Sequence, residues 1–234
     1  MNVKKILVGT LAASAFAAGS IATTAYAEGK VSASATVSNM YLWRGTDLGD
    51  GAAAVSGNLA YSISGAYAGV WVSSGDTTYG QEYDLYTGYT TGITDDVSVD
   101  ISVWNYNYSD AGLTKTTQPG GSIPMLGVRD DTTGELTEIV LSLSAYGANI
   151  SILDNVAGGS GYIYYTLGYG AGDFSATFGS HSYKNDSANM SHLNISYAYN
   201  DNLSFTVSKV VDEEVEGSYD DDAMFQVSYS FPIK

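Results

Sequence analysis

Glu82, Asp84, Asp100 and Glu138 are carboxylates set in stretches that alternate apolar and polar residues, and each falls on the polar parity of its stretch. Val97, Val99, Ile101 and Val103 interleave with Ser98, Asp100 and Ser102, and Ile139, Leu141 and Leu143 oppose Glu138, Ser142 and Ser144. An extended chain puts alternate residues on opposite faces, so these acids share one wet face. Acids gathered there can do either of two things. They raise the local cation concentration and disfavour anions, or they pair with a cation and with tyrosine hydroxyls in a filled interior. Arg44 is the cation nearest to hand. His181 and His192 lie on consecutive stretches, and beside Ser191 or Ser196 a histidine suggests nucleophilic attack on a lipid ester. No nucleophile motif surrounds them, so they read as hydrogen-bonding wall residues. The run DEEVEGSYDDD, residues 212–222, offers oxygen ligands for Ca²⁺ or Mg²⁺ but lacks EF-hand spacing, and reads as solvated charge. Gly158-Gly159-Ser160-Gly161 has no strand-to-helix setting for a phosphate loop. No metal, cofactor or catalytic group is expected.

The elements that must position these residues are strands. Period-2 patterning predicts about twelve, near residues 31–44, 53–64, 66–74, 81–92, 96–108, 135–146, 148–156, 161–170, 173–183, 190–199, 202–211 and 223–231. Tight links (Ser64-Gly65, Thr94-Asp95, Gly147, Gly170–Gly172, Asn200-Asp201) alternate with links that are mostly longer, among them 45–52, 109–134, 184–189 and 212–222. One rim of turns and one rim of loops is the pattern of an outer-membrane barrel. Composition points the same way: 20 Tyr against 6 Phe, with 27 Gly and 3 Pro, supplies few residues to fill the core of a secreted sandwich. The expected fold is therefore all-β, an antiparallel up-and-down transmembrane β-barrel. In the last strand Phe225, Val227, Tyr229 and Phe231 face lipid, while Gln226, Ser228 and Ser230 face the lumen. Tyr41, Tyr61, Tyr89, Tyr169 and Tyr199, near strand ends, are expected to form interfacial girdles. The link 109–134, with Pro119 and Pro124, either folds into the lumen or projects outward.

The N-terminus carries Lys4 and Lys5, an apolar run, and Ala25-Tyr26-Ala27 before Glu28, which reads as a signal peptide over 1–27 followed by a barrel over 28–234. Cleavage takes two lysines and no acid from a formal charge of −16, leaving −18. Such a chain repels phosphate backbones, so nucleic acid is excluded as a partner. The partners expected are outer-membrane lipid and lipopolysaccharide, the outer-membrane assembly machinery and small hydrophilic solutes. The oligomeric state is left open.

Tyr41-Leu42-Trp43-Arg44-Gly45, the stretch Tyr67–Ser73 around Trp71, and Glu82-Tyr83-Asp84-Leu85-Tyr86 through Tyr89 resemble the TorF family of porins over the first third of the mature chain. The resemblance implies an outer-membrane barrel with a pore and brings no established solute. The expectation is thus a passive, cation-preferring channel with Arg44, Glu82, Asp84, Asp100, Glu138, His181 and His192 lining its pore. Its rivals are a lipid-hydrolysing barrel enzyme and a closed structural or adhesive barrel.

Overall fold

Alternation along each strand leaves every segment with one apolar and one polar face, and a closed cylinder is the arrangement that sorts those faces without leaving a free edge. The computed structural model describes residues 29–77, 79–109, 136–158, 161–184 and 188–233. In chain order the strands are β1 (Lys30–Ser38), β2 (Leu42–Trp43), β3 (Thr46–Asp47), β4 (Ala54–Ile63), β5 (Ala66–Asp76), β6 (Gly80–Thr94), β7 (Val97–Tyr108), β8 (Leu136–Ala145), β9 (Ala148–Ala157), β10 (Ile163–Ala171), β11 (Phe174–Ser182), β12 (Met190–Ala198), β13 (Leu203–Glu213) and β14 (Met224–Ile233). All but β2 and β3 form one closed antiparallel barrel of twelve strands. Each strand pairs with its sequence neighbours, and the seam joins β1 to β14 with Ala35 opposite Phe231 and Val37 opposite Tyr229. The expected fold class is the one found.

Register follows from turn chemistry. Ser64-Gly65 and Tyr146-Gly147 are two-residue hairpin links with positive φ at both positions (49° and 88°; 52° and 85°). That is the type I′ geometry whose twist matches paired strands. These tight links lie on the same rim as β1's first residue and β14's last. The opposite rim carries the longer links, including 39–53 and 214–223.

The outer wall is apolar along most of its length, with Asp154 and Lys209 as charges towards the long-loop rim. Leu59, Ile101, Leu141, Leu167, Ile195 and Phe225 are each about half exposed or nearly so and point away from the interior. A surface of this kind is unsuited to water and is what a lipid-facing barrel wall requires. No helix among the described residues is long and apolar enough to cross a membrane. Tyr61, Tyr89, Tyr146, Tyr169 and Tyr199, with Phe174, stand exposed near the short-turn rim and form one aromatic belt.

Two expectations are corrected. The first strand ends at Ser38, not at residue 44. Tyr41 is no girdle residue; it is 3% exposed and lies inside the barrel. The reason is visible in the run Met40-Tyr41-Leu42-Trp43, which breaks the alternation with four consecutive apolar side chains. Such a run cannot divide itself between lipid and water, and burying it whole requires the chain to leave the wall. The link 110–135 and the leader 1–27 lie outside the described residues.

Candidate functional site: an arginine cage inside the barrel

Residues 39–53 leave the wall after β1, turn inward, and return to start β4. The small ribbon β2–β3, with Trp43 opposite Thr46, stiffens this segment. Asp47 ties it together by accepting from the backbone N–H of Tyr41 (3.2 Å), Gly49 (2.9 Å) and Gly51 (2.8 Å). At the ribbon's tip Arg44 and Gly45 both take positive φ, 44° and 87°. Gly45 lies against the ring of His192: a β-carbon there would come within 2.6 Å of His192 Cβ. Only glycine fits a left-handed position packed that closely.

The segment delivers a guanidinium to the interior. Arg44 is 4% exposed, and its two terminal nitrogens donate to both oxygens of Glu138, at 2.9 and 2.7 Å. One of those nitrogens also donates to the Tyr162 hydroxyl at 2.9 Å. Tyr106 donates to Glu138 Oε2 at 2.7 Å. The guanidinium carbon stands 4.6 Å from the ring centre of Trp43 and 4.7 Å from that of Tyr164. A charge this deep is tolerable only with such company, since desolvation of an unpaired ion costs several kcal/mol. The fork-to-fork geometry and the aromatic faces are the contacts arginine makes best.

The backbone of Arg44 is held as well. Its carbonyl can only accept, so His181 Nε2, at 2.8 Å, carries the proton. Neutral His181 then accepts at Nδ1 from the Tyr162 hydroxyl, 3.0 Å away. The ring of bonds runs from the guanidinium through Tyr162 and His181 back to the carbonyl of the same residue. His192 sits beside it, ring centres 6.0 Å apart, with Tyr164 on Nε2 (2.7 Å) and Asn194 on Nδ1 (3.0 Å). Ser191 bonds Ser180 and Ser196 bonds Thr206. Both imidazoles are therefore committed to tyrosine, asparagine and backbone, and the hydrolytic pairing of histidine with Ser191 or Ser196 is not assembled.

The four carboxylates all lie in the interior, and three have identified partners. Glu138 holds Arg44. Glu82 accepts from Tyr41, and from Tyr108 at 2.8 Å. Asp100, lower on β7, accepts from Tyr67 at 2.9 Å. Asp84 is 3% exposed with Oδ1 unpartnered, between Trp71 of β5 and Tyr106 of β7 in the register. Of the two roles open to acids on a wet face, pairing is the one present at these three. Stacked rings line the same wall: Tyr86 and Trp104 lie 4.3 Å apart, and Trp104 and Tyr106 6.4 Å.

The barrel interior therefore has two halves. Near the long-loop rim it is filled by 39–53 and its partners. Towards the short-turn rim most inward residues are small and polar, as in the hydroxyl pairs Thr36–Ser230 (2.9 Å), Ser142–Ser151 (2.7 Å) and Ser196–Thr206 (2.8 Å), with the Tyr67–Asp100 pair as the larger exception; several of them are partly open to solvent. Among the described residues Asp220, Asp221 and Asp222 bring carboxylate oxygens together, but all three are exposed on the loop.

Comparison with known proteins adds a family. A family model described as "Bacterial protein of unknown function (Gcw_chp)" matches residues 22–227. The chain belongs to that family. No curated protein matches this Gcw_chp protein in sequence. A solved structure titled "KdgM porin" is similar at a TM-score of 0.47 and 7% identity, covering 88% of this chain and 100% of that one.

Sequence reasoning placed Arg44, Glu82, Asp84, Asp100, Glu138 and both histidines in the interior and did not find Tyr106, Tyr108, Tyr162 and Tyr164. A signal for two of them was present. Tyr106 and Tyr108 share the parity of Asp100 on β7, so whatever faces Asp100 also faces them.

Proposed function

We propose that this protein is an outer-membrane channel through which small hydrophilic solutes diffuse passively, with a preference for cations, and that it reaches that membrane by way of a signal peptide cleaved after Ala27. The observation that carries the reading is the sorting of faces. A lipid-compatible wall encloses an interior lined by serine, threonine, asparagine and carboxylates, and the half towards the short-turn rim is left partly open to solvent. Among the described residues Asp76, Glu82, Asp84 and Glu138 are buried and Asp100 is half-buried on the inner face, against one buried guanidinium. That imbalance favours cations. The resemblance of Tyr41–Gly45 and of the Trp71 and Glu82 stretches to TorF-family porins supports the same reading. The channel acts by size and charge and needs no catalytic group.

The filled half favours a second reading, a barrel closed at rest that conducts only when 39–53 moves. Planar-bilayer recording of the refolded protein tests both. The open channel gives steady conductance with a cation-selective reversal potential in a salt gradient. The resting-closed barrel gives conductance only after Arg44 is removed. An anion-selective current defeats the proposal, and silence from both the natural protein and Arg44→Ala leaves a purely structural barrel. Selectivity should shrink as salt rises, because exposed charges are screened over about 10 Å at 0.1 M.

A further inference from the structure

We propose that the cage around Glu138 is a binding site for guanidinium-bearing solutes, and that Arg44 is an occupant the chain supplies to itself. The proposal rests on the channel reading for its biological meaning, since a solute crossing the barrel must pass this level; the site itself stands on geometry alone.

Most of the cage belongs to the wall. Glu138 comes from β8, Tyr106 from β7, Tyr164 from β10 and Tyr162 from the residue before it; only Trp43 arrives with the segment. The strand ladder fixes these groups whether or not 39–53 is docked. Trp104 lies directly opposite Glu138 in the β7–β8 register, and β10 pairs with β9 and β11 along its length. Take Arg44 away, and what is left is a carboxylate inside the barrel, one tyrosine donating to it, a second hydroxyl 2.9 Å from where a nitrogen had been, and an aromatic face 4.7 Å from where the central carbon had been. The complement of that constellation is a flat cation with at least two parallel N–H groups. An ammonium can satisfy one carboxylate oxygen or straddle both, but it cannot present the fork, and it is more strongly hydrated.

The occupant is held at a cost. Arg44 is a non-glycine residue in the left-handed region (φ 44°), and among the described residues its pair with Glu138 is the one salt bridge between this segment and the wall. Left-handed backbone is unfavourable for a residue with a β-carbon, so the cage must offset strain in the loop as well as desolvate the ion. A free guanidinium carries no such strain. The same cage therefore accepts it in exchange for Arg44, and the exchange frees the tip of the ribbon. The site thus names a class of solute, small molecules ending in a guanidinium, and a way for that solute to displace the group that blocks its path.

The test is chemical rescue. Arg44→Ala removes the occupant and leaves the wall intact, and methylguanidinium chloride matches the missing end of the side chain. The full-length mature barrel, refolded in detergent, is titrated with low millimolar methylguanidinium, methylammonium or sodium chloride at constant ionic strength, and its urea unfolding midpoint is read from the gel shift between folded and unfolded barrel. Methylguanidinium should raise the Arg44→Ala midpoint saturably. Methylammonium should do so at least about tenfold less effectively, and Arg44→Ala combined with Glu138→Gln should not respond. If Arg44→Ala does not refold, methylguanidinium added during refolding should restore the folded band where methylammonium does not. Equal responses to all three salts, a response that survives Glu138→Gln, or no recovery of a misfolded Arg44→Ala by methylguanidinium would each overturn the site. In bilayers, Arg44→Ala current that methylguanidinium leaves untouched also counts against it. Binding without any current instead defeats the channel reading and leaves the site standing.

Discussion

Glu138→Gln keeps the shape of the side chain and removes its charge, which isolates the electrostatic part of the cage. In the natural protein Glu138 accepts two guanidinium hydrogen bonds, at 2.9 and 2.7 Å, and a third from Tyr106 at 2.7 Å. The side chains of Arg44 and Glu138 are 2% and 1% exposed, so water cannot take over from either. Removing one member of a buried pair leaves the other as an uncompensated ion, a loss of about 3–5 kcal/mol. Arg44→Met should lose a similar amount, because Glu138 then keeps its charge with only Tyr106 to stabilise it. The double variant buries no stranded ion. It should therefore lose less than either single change, and the two should be coupled by about 2 kcal/mol or more. Urea titration of the barrel in lipid vesicles, read by tryptophan fluorescence and by gel mobility, measures all four corners of the cycle. Losses that add to within about 0.5 kcal/mol would show that the pair does not interact in the folded barrel and that 39–53 is anchored by something else.

Leu167→Arg should reduce membrane assembly far more than Thr166→Arg, because Leu167 points outward at mid-strand, where arginine costs about 2–4 kcal/mol, while its neighbour faces the polar interior; equal yields of heat-modifiable protein would reverse the face assignment. Gly45→Val should loosen 39–53, since a β-carbon there meets His192 and the left-handed backbone costs about 1–2 kcal/mol, and faster protease cleavage within 39–53 than in the natural protein is the measurement. Tyr219 anchors the acidic loop by donating to the Ala188 carbonyl at 2.7 Å, and burial, with Glu213 second, pushes its pKa from 10.0 up to about 12. Its folded value is the higher one, so the protonated hydroxyl contributes its full stability below pH 10 and loses it as pH rises to about 12. Protease susceptibility of 214–222 should rise over that window, and Tyr219→Phe should abolish the pH dependence.

What could be read from the sequence was whatever depends on period and parity. Alternation fixes which residues of a strand look inward, so Glu138 and Asp100 could be placed from Ile139 and Ile101 alone. The turns could be read from Ser64-Gly65 and Gly147, because glycine serves a left-handed position freely, whereas Tyr146, which also takes positive φ, reads as the end of its strand. Partners were not legible, because parity says which face a side chain shares and nothing about what reaches across the barrel to meet it. Glu138 and Arg44 are 94 positions apart, and Tyr162 lies 118 positions from Arg44. Those contacts exist only once twelve strands have closed and a segment has turned inside. The segment did leave a local trace. Met40–Trp43 offers no polar face to a lumen and no alternation to a strand, and the arginine and glycine after it suit a tip better than a wall. A strand that ceases to alternate just before an arginine is poorly suited to stay between lipid and water. In a barrel whose outer face is lipid, the interior is the one place where that apolar run and that charge can both be accommodated, provided the wall already holds a carboxylate and rings to receive them.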